Sequence, residues 1–339
     1  MLMNMNFWLE EMKTAKIKKA MPVLSFPCIT LMGITVRELI SDSELQARGM
    51  KLVADRINSA ASVSMMDLSV EAEAFGSTVH VSDDEVPTVT GSIVKSLEDA
   101  EALQIPAVGT ARTGKYVEAL GKACKLITDR PVLAGVIGPF SLAGRLIDVS
   151  EALVSCIDEP EMVTAVLEKV TPFLIEYIKA YKAIGANGIV MAEPLAGLLS
   201  PSLAEDFSEE YVRRIVDAVQ DDEFIVVYHN CGGSTIKMPD SIARTGAAAF
   251  HFGDSICLRE MLALMPKDKI VMGNVSPSAC FYSGTPETIK AETKRIMSEC
   301  CEYDNFVISS GCDIPAMSPW NNIDAFFEAV DEFYDASGK

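Results

Sequence analysis

Short, almost continuously apolar runs recur along the chain and alternate with longer amphipathic segments. The runs cover residues 23–29, 62–66, 132–137, 188–192, 224–228, 248–252, 269–273 and 305–309. Runs of this kind are typical of parallel strands that are buried on both faces. Eight strands that alternate with helices predict a (β/α)8 barrel, and a doubly wound open sheet is the main competing fold.

Two stretches lie outside this repeat. Residues 1–20 mix apolar and charged side chains and predict an N-terminal helical extension. Residues 77–130 predict an insertion, with a small β-hairpin at 77–90 followed by extra helices. Since α/β barrels reach this size as single units, we expect the 339 residues to form one embellished barrel domain, 1–339.

Charge and composition exclude several classes of function. The formal net charge of −19 repels nucleic acid and anionic membranes, so neither is an expected partner. No apolar run approaches 18 residues, and we therefore expect no membrane span. The nine cysteines have no regular spacing and no secretory segment precedes them, which predicts reduced thiols and a cytoplasmic location.

Polar side chains follow most of the predicted strands. The loops after the strands of a parallel barrel open on one mouth, where catalytic groups lie. We therefore expect the side chains at these positions to converge there. They are Asp67, Glu193, His229, Cys231, Asp254, Asn274, Cys312 and Asp313.

Three of these side chains suit a metal ion. His229 and Cys231 follow the fifth run, and Cys312 follows the eighth. One imidazole and two thiolates are a ligand set for Zn²⁺, and three protein ligands leave one position open, as in catalytic zinc sites. Two cysteines favour activation of a substrate thiol over hydrolysis, since zinc hydrolases more often use histidine and carboxylate ligands. The alternative is that the cysteines are small core residues.

The remaining candidates each allow two interpretations. Asp67 either orients substrate or caps a helix, and Glu193 is either a further zinc ligand or part of an ion pair in the barrel. Asn274 either touches substrate or hydrogen-bonds backbone near the mouth. We expect His251 to be a hydrogen-bonded core histidine.

Several longer segments resemble the uroporphyrinogen decarboxylase superfamily. They are "MMDLSVEAEAFG" (65–76), "GPFSLAGRL" (138–146), "EPLAGLLSP" (193–201), "GNVSP…GTPETIKAE" (273–292) and "SGCDIPAMSPWNNIDAFFEAV" (311–330). The resemblance covers most of the chain from about residue 45 onward. It implies an embellished (β/α)8 barrel and places the functional aspartate of the family at Asp67.

Within that superfamily the chain resembles the methylcobalamin:coenzyme M methyltransferases. That branch binds zinc through H-x-C and a distant cysteine, which match His229, Cys231 and Cys312. The decarboxylase branch has an arginine-containing segment where this chain has "LSFPCITLMGITVREL" (24–39), and a histidine at the position of Cys312. The resemblance implies that methylcobalamin, carried by a small corrinoid protein, donates a methyl group to a small thiol such as coenzyme M.

Two other functions are left open. One is a metal-free decarboxylase of a carboxylated small molecule or tetrapyrrole, in which Arg37, Arg112 and Arg145 are the candidate cations. The other is a non-catalytic corrinoid-binding barrel. The chain has no D-x-H-x-x-G motif, so the corrinoid is expected to arrive on a partner. The opening segment departs from the methyltransferase pattern, which leaves the thiol acceptor open.

Overall fold

The computed structural model describes residues 3–336. Its strands are β1 (Ser62–Val63), β2 (Thr78–His80), β3 (Thr88–Thr90), β4 (Val132–Ile137), β5 (Gly188–Ala192), β6 (Ile225–Asn230), β7 (Ala249–Phe252), β8 (Ile270–Val275) and β9 (Phe306–Ser310). Its α-helices are α1 (Met5–Thr14), α2 (Cys28–Met32), α3 (Val36–Ser41), α4 (Ser43–Arg56), α5 (Val70–Ala74), α6 (Leu97–Ala102), α7 (Thr113–Leu126), α8 (Pro139–Ile147), α9 (Val149–Asp158), α10 (Pro160–Ala183), α11 (Pro201–Ala204), α12 (Glu210–Val219), α13 (Pro239–Arg244), α14 (Leu258–Leu264), α15 (Pro286–Cys300) and α16 (Trp320–Ala336). None of the helices within 3–336 is long and apolar enough to cross a membrane.

Seven strands form one parallel sheet in the order β1-β4-β5-β6-β7-β8-β9. They coincide with the second to eighth apolar runs of the sequence, and β4 to β9 are buried at every residue. Burial on both faces explains why these strands read as continuous apolar runs and not as alternating patterns. The predicted α/β-barrel class is confirmed.

The first apolar run, 23–29, is not a strand, and that part of the prediction was wrong. Pro27 lacks a backbone N–H and stands directly before α2, so the run turns into a helix. The residues just before it bridge the two edges of the sheet. Ala20 O accepts from Ala60 N at 2.8 Å, and Met21 N donates to Ile308 O at 3.0 Å. An extended but irregular segment thus occupies the position of the eighth strand.

The segment between β1 and β4 contains the predicted hairpin and helices. Strands β2 and β3 pair antiparallel, with Thr78 opposite Thr90. Helices α6 and α7 follow, and α7 packs on α4. That residues 1–339 form one domain with an insertion at 77–130 stays a prediction; residues 1–2 and 337–339 lie outside the described residues.

Apolar side chains fill two layers, one inside the curled sheet and one between the sheet and the helices. The inner layer contains alternate residues of the strands, among them Val190, Val227 and Met272. Helix α1 belongs to this inner layer through Met5, Trp8 and Met12. Trp8 Nε1 also donates to Ala60 O at 3.3 Å. Helix α1 therefore closes one end of the sheet interior, and the predicted N-terminal extension has a packing role.

Substitution of Trp8 should measure this role. Trp8→Ala removes a large side chain that is 8% exposed, and we expect a loss of about 3 kcal/mol in the free energy of unfolding. Phe7 on the same helix is 77% exposed, so Phe7→Ala should change stability by less than about 0.5 kcal/mol. Urea denaturation followed by circular dichroism measures both. Equal effects of the two substitutions would contradict the packing role of α1.

Candidate metal centre

The structure brings His229, Cys231 and Cys312 together at the carboxyl ends of β6 and β9. His229 lies near the end of β6, on the inward-facing side with Val227, and Cys231 follows the strand. Cys312 follows β9 by two residues. Their candidate ligand atoms all lie within 4.8 Å of one another, and Cys312 Sγ is 3.4 Å from His229 Nε2. Residues 83 positions apart therefore share one small site.

The two thiols affect each other's protonation. Their hydrogen bond lowers the pKa of Cys231 and, together with burial, raises the pKa of Cys312 to about 12. Cys231 is thus the first of the two to ionise, stabilised by the Cys312 S–H. A cation that binds both sulfurs as thiolates has to displace the shared proton, so metal binding here releases protons.

The donor set matches the chemistry of zinc. Soft thiolates and an imidazole are the ligands that Zn²⁺ and a few other transition metals prefer, whereas Mg²⁺ and Ca²⁺ prefer oxygen ligands. Among residues 3–336 this is the one group of three or more histidine, cysteine or acidic side chains arranged to share an ion. The residues present therefore fit zinc, and three such ligands would leave one tetrahedral position open.

Two glycines allow the loop after β6 to pass close to the loop after β5. A Cβ added at Gly232 would lie 2.3 Å from the backbone carbon and oxygen of Gly197. Asn230 Oδ1 accepts from Gly232 N at 3.2 Å, and Thr235 Oγ1 donates to Gly232 O at 2.8 Å. This close backbone contact holds the segment that carries Cys231.

Asn274 supports the same site from β8. Its Nδ2 donates to Gly253 O and Ile256 O, both at 2.9 Å, and so fixes the loop after β7. A Cβ at Gly253 would lie 2.5 Å from the Cβ of Cys231, so this loop packs directly against a candidate ligand. The contacts of Asn274 agree with the backbone-bonding interpretation; contact with substrate stays a prediction.

Glu193 does not join the cluster. Its Oε1 accepts from Ser141 N at 2.6 Å and its Oε2 from Phe140 N at 3.0 Å, at the start of α8. Ala192 belongs to the inner layer, so Glu193, the next residue, faces the helices. Burial raises the pKa of Glu193 to about 7, although these hydrogen bonds act to lower it. The carboxylate caps a helix N-terminus, where a negative charge is favoured; its catalytic role stays a prediction.

Asp67 lies in a buried ion-pair network. It accepts hydrogen bonds from Arg112 Nη1, from Tyr116 Oη at 2.7 Å and from Ser69 Oγ at 2.5 Å. Arg112 also donates to Glu73 at 2.6 Å. Sequence reasoning named Arg112 only as a substrate-binding cation and missed Tyr116. The hydrogen bond to Ser69 N agrees with the capping interpretation of Asp67, and a role toward substrate stays a prediction.

Glu71 is a buried carboxyl group next to this network that sequence reasoning also missed. Its side chain is fully buried; Oε1 accepts from Ile137 N at 3.2 Å, and Oε2 has no hydrogen-bond partner. Burial raises its pKa to about 8, and the nearby Asp67 adds to the shift. A glutamate inside a short helical pattern gives no sign of such an environment.

His251 was expected to be a hydrogen-bonded core histidine, and it is. It lies opposite His229 in the pairing of β6 with β7, and its Nδ1 is 2.7 Å from His229 Nδ1. The pairing register is the signal that links it to the site, because register partners on neighbouring strands face the same side.

The uroporphyrinogen decarboxylase (URO-D) family model matches residues 17–333, and the chain belongs to that family. A methylcobamide:CoM methyltransferase (MtbA) of Methanosarcina mazei is 28% identical over 275 residues, 79% of this chain and 78% of that protein. A uroporphyrinogen decarboxylase of Coxiella burnetii is 24% identical over 285 residues, 80% of this chain and 77% of that protein. A solved methyltransferase structure from Methanosarcina mazei has a TM-score of 0.84 and 25% identity, covering 96% of this chain and 97% of that chain. The predicted family and the resemblance to its methyltransferase branch are confirmed.

Substitution of the two adjacent glycines tests the packing of the candidate metal centre. Gly232→Ala forces its Cβ against Gly197 backbone and should displace Cys231, lowering zinc affinity at least about tenfold. Gly233→Ala is the matched control, because a Cβ there meets nothing within 4 Å. Zinc affinity of both variants is measured by competition with a chromophoric chelator. Equal affinities would show that the Gly197–Gly232 contact does not position Cys231.

Glu71→Gln tests the buried carboxyl group. The raised pKa means that the folded state holds its proton more tightly than the unfolded state, so wild-type stability falls as pH rises from about 4.5 to 8. Glutamine cannot ionise and should remove this loss, stabilising the protein by on the order of 3 kcal/mol at pH 8 and little at pH 4.5. Urea denaturation across this pH range measures the difference. A difference that does not change with pH would contradict the raised pKa.

Proposed function

We propose that this chain is a zinc-dependent methyltransferase that moves a methyl group from methylcobalamin, carried by a small corrinoid protein, to a thiol such as coenzyme M. The observation that carries the proposal is the cluster of His229, Cys231 and Cys312, with ligand atoms within 4.8 Å of one another at the mouth of the barrel. The relative named methylcobamide:CoM methyltransferase supports the same reaction.

The side chains of the cluster would hold the ion and set its charge. Cys231 and Cys312 would bind as thiolates and His229 as a neutral imidazole, so that two negative charges balance a divalent cation. When bound there, zinc would activate the acceptor thiol. It would lower the pKa of that thiol so that the thiol reacts as a thiolate at neutral pH.

The transfer itself is a nucleophilic displacement at the methyl carbon. The thiol releases its proton to solvent, and a sulfur electron pair forms the new carbon–sulfur bond. The carbon–cobalt bond breaks with both electrons left on cobalt, which passes from cobalt(III) to cobalt(I). The protein needs to hold the thiol and exclude competing water. The corrinoid protein carries the methylated substrate in and the cobalt(I) form away.

The ion pairs of two candidate arginines weigh against decarboxylation. A carboxylated substrate needs cations to bind it, and Arg112 is already paired with Asp67 and Glu73. Arg37 is exposed and paired with Asp83. Two of the three arginines that sequence analysis offered for such a substrate are therefore occupied by the protein's own carboxylates. We place the reaction in the cytoplasm, because all nine cysteines are free thiols.

Zinc content and methyl transfer test the proposal together. Wild-type protein should hold about one zinc ion per chain and convert methylcobalamin and coenzyme M to cobalt(I) corrinoid and methylated coenzyme M. Cys312→Ala should lose the ion and lower the rate at least about a hundredfold. Cys301→Ala is the control, because Cys301 is exposed and lies outside the cluster.

Metal analysis and the absorbance change of the corrinoid give the two readouts. The proposal would be refuted by wild-type protein that takes up no zinc when zinc is offered. It would also be refuted if Cys312→Ala matched Cys301→Ala in both zinc content and rate.

A further inference from the structure

We propose that His251 is a positioning residue that keeps the proton of His229 on Nδ1 and so directs the lone pair of His229 Nε2 at the two thiols. Both histidines are buried, and their rings meet edge to face with centroids 4.7 Å apart. The proposal extends the proposed function and rests on it only where the metal is concerned. The tautomer belongs to the protein with or without an ion.

An unbroken series of hydrogen bonds connects Met21, which bridges to β9, with the cluster of His229, Cys231 and Cys312. Ser309 Oγ donates to Met21 O at 2.7 Å, and His251 Nε2 is 2.7 Å from Ser309 Oγ. His251 Nδ1 is in turn 2.7 Å from His229 Nδ1. At the far end, His229 Nε2 is 3.4 Å from Cys312 Sγ.

The direction of every hydrogen bond in the series follows from the first acceptor, the backbone carbonyl of Met21. A backbone carbonyl can only accept, so the single hydroxyl proton of Ser309 is used on Met21 O. Ser309 Oγ must then accept from His251 Nε2–H. In a neutral imidazole the other nitrogen is an acceptor, so His251 Nδ1 accepts from His229 Nδ1–H. The one nitrogen left with a free lone pair is His229 Nε2, which faces Cys312.

The surroundings of His251 keep it neutral. Its side chain is buried, and its ring nitrogens contact the Ser309 hydroxyl group, the backbone of Ser310 and a second imidazole, with no carboxylate among them. A charge there would be costly to desolvate.

The alternative tautomer shows what His251 prevents. With the proton on Nε2, His229 would point an N–H at Cys312 and offer no lone pair to a cation. A partner that holds the other ring nitrogen fixes both the tautomer and the ring orientation of a metal-binding histidine, and its loss typically costs 10–100-fold in metal affinity. Because the series begins at Met21, barrel closure and ligand orientation depend on the same few residues.

The test compares two substitutions at one position. His251→Leu removes the acceptor while keeping an apolar side chain of similar size, and zinc affinity should fall about 10–100-fold. His251→Asn places an amide oxygen near the position of Nδ1 and should keep affinity within about threefold. Thermal unfolding of both variants shows whether the fold is intact. Equal zinc affinity in His251→Leu and wild type would overturn the proposal.

A second readout needs no metal. The chain has three histidines, so the ¹⁵N spectrum of labelled zinc-free protein contains three imidazoles, and His80→Gln identifies the signal of His80. His229 should carry its proton on Nδ1 in wild type and in His251→Asn, and should show mixed tautomers in His251→Leu. A proton on Nε2 of wild-type His229 would refute the proposal. Correct tautomers and zinc binding without methyl transfer would refute the proposed function alone.

Discussion

Ala20 and Met21 close the barrel, and this closure determines which strand ends meet at its mouth. One backbone hydrogen bond to each side, at 2.8 and 3.0 Å, joins the segment before β1 to β9 across the gap left by the missing eighth strand. Curvature of the sheet then brings the ends of β6 and β9 to one mouth, where three side chains far apart in the chain share a site. A flat parallel sheet would keep these strands, three positions apart, well separated.

Two of the carboxylates that follow the strands, Glu193 and Asp67, are engaged away from the cluster of His229, Cys231 and Cys312. Glu193 caps helix α8, and Asp67 is held by Arg112, Tyr116 and Ser69. The thiol of Cys312 contacts instead the thiol of Cys231 and the Nε2 atom of His229. A site of this kind suits activation of a thiol better than the acid–base work of a hydrolase or the binding of a carboxylated substrate.

The sequence allowed the strands and the cluster to be predicted because both depend on local patterns. Buried parallel strands are apolar throughout, and loops after such strands meet at one mouth, which was enough to place His229, Cys231 and Cys312 together. The first run is apolar for another reason. Its side chains are buried in the core, but the backbone turns at Pro27 into α2. The surroundings of Glu193, Glu71 and His251 depend on which helix or strand packs against each, and no local pattern encodes that.

X-ray absorption at the zinc edge can show whether His229, Cys231 and Cys312 share one zinc ion, because it counts the atoms around the ion without relying on activity. The zinc-loaded protein should show two sulfurs at about 2.3 Å and one imidazole nitrogen at about 2.0–2.1 Å, with an oxygen or nitrogen atom completing the shell. Addition of coenzyme M should raise the number of sulfurs to three. A shell of nitrogen and oxygen alone, or a sulfur count unchanged by coenzyme M, would contradict the account.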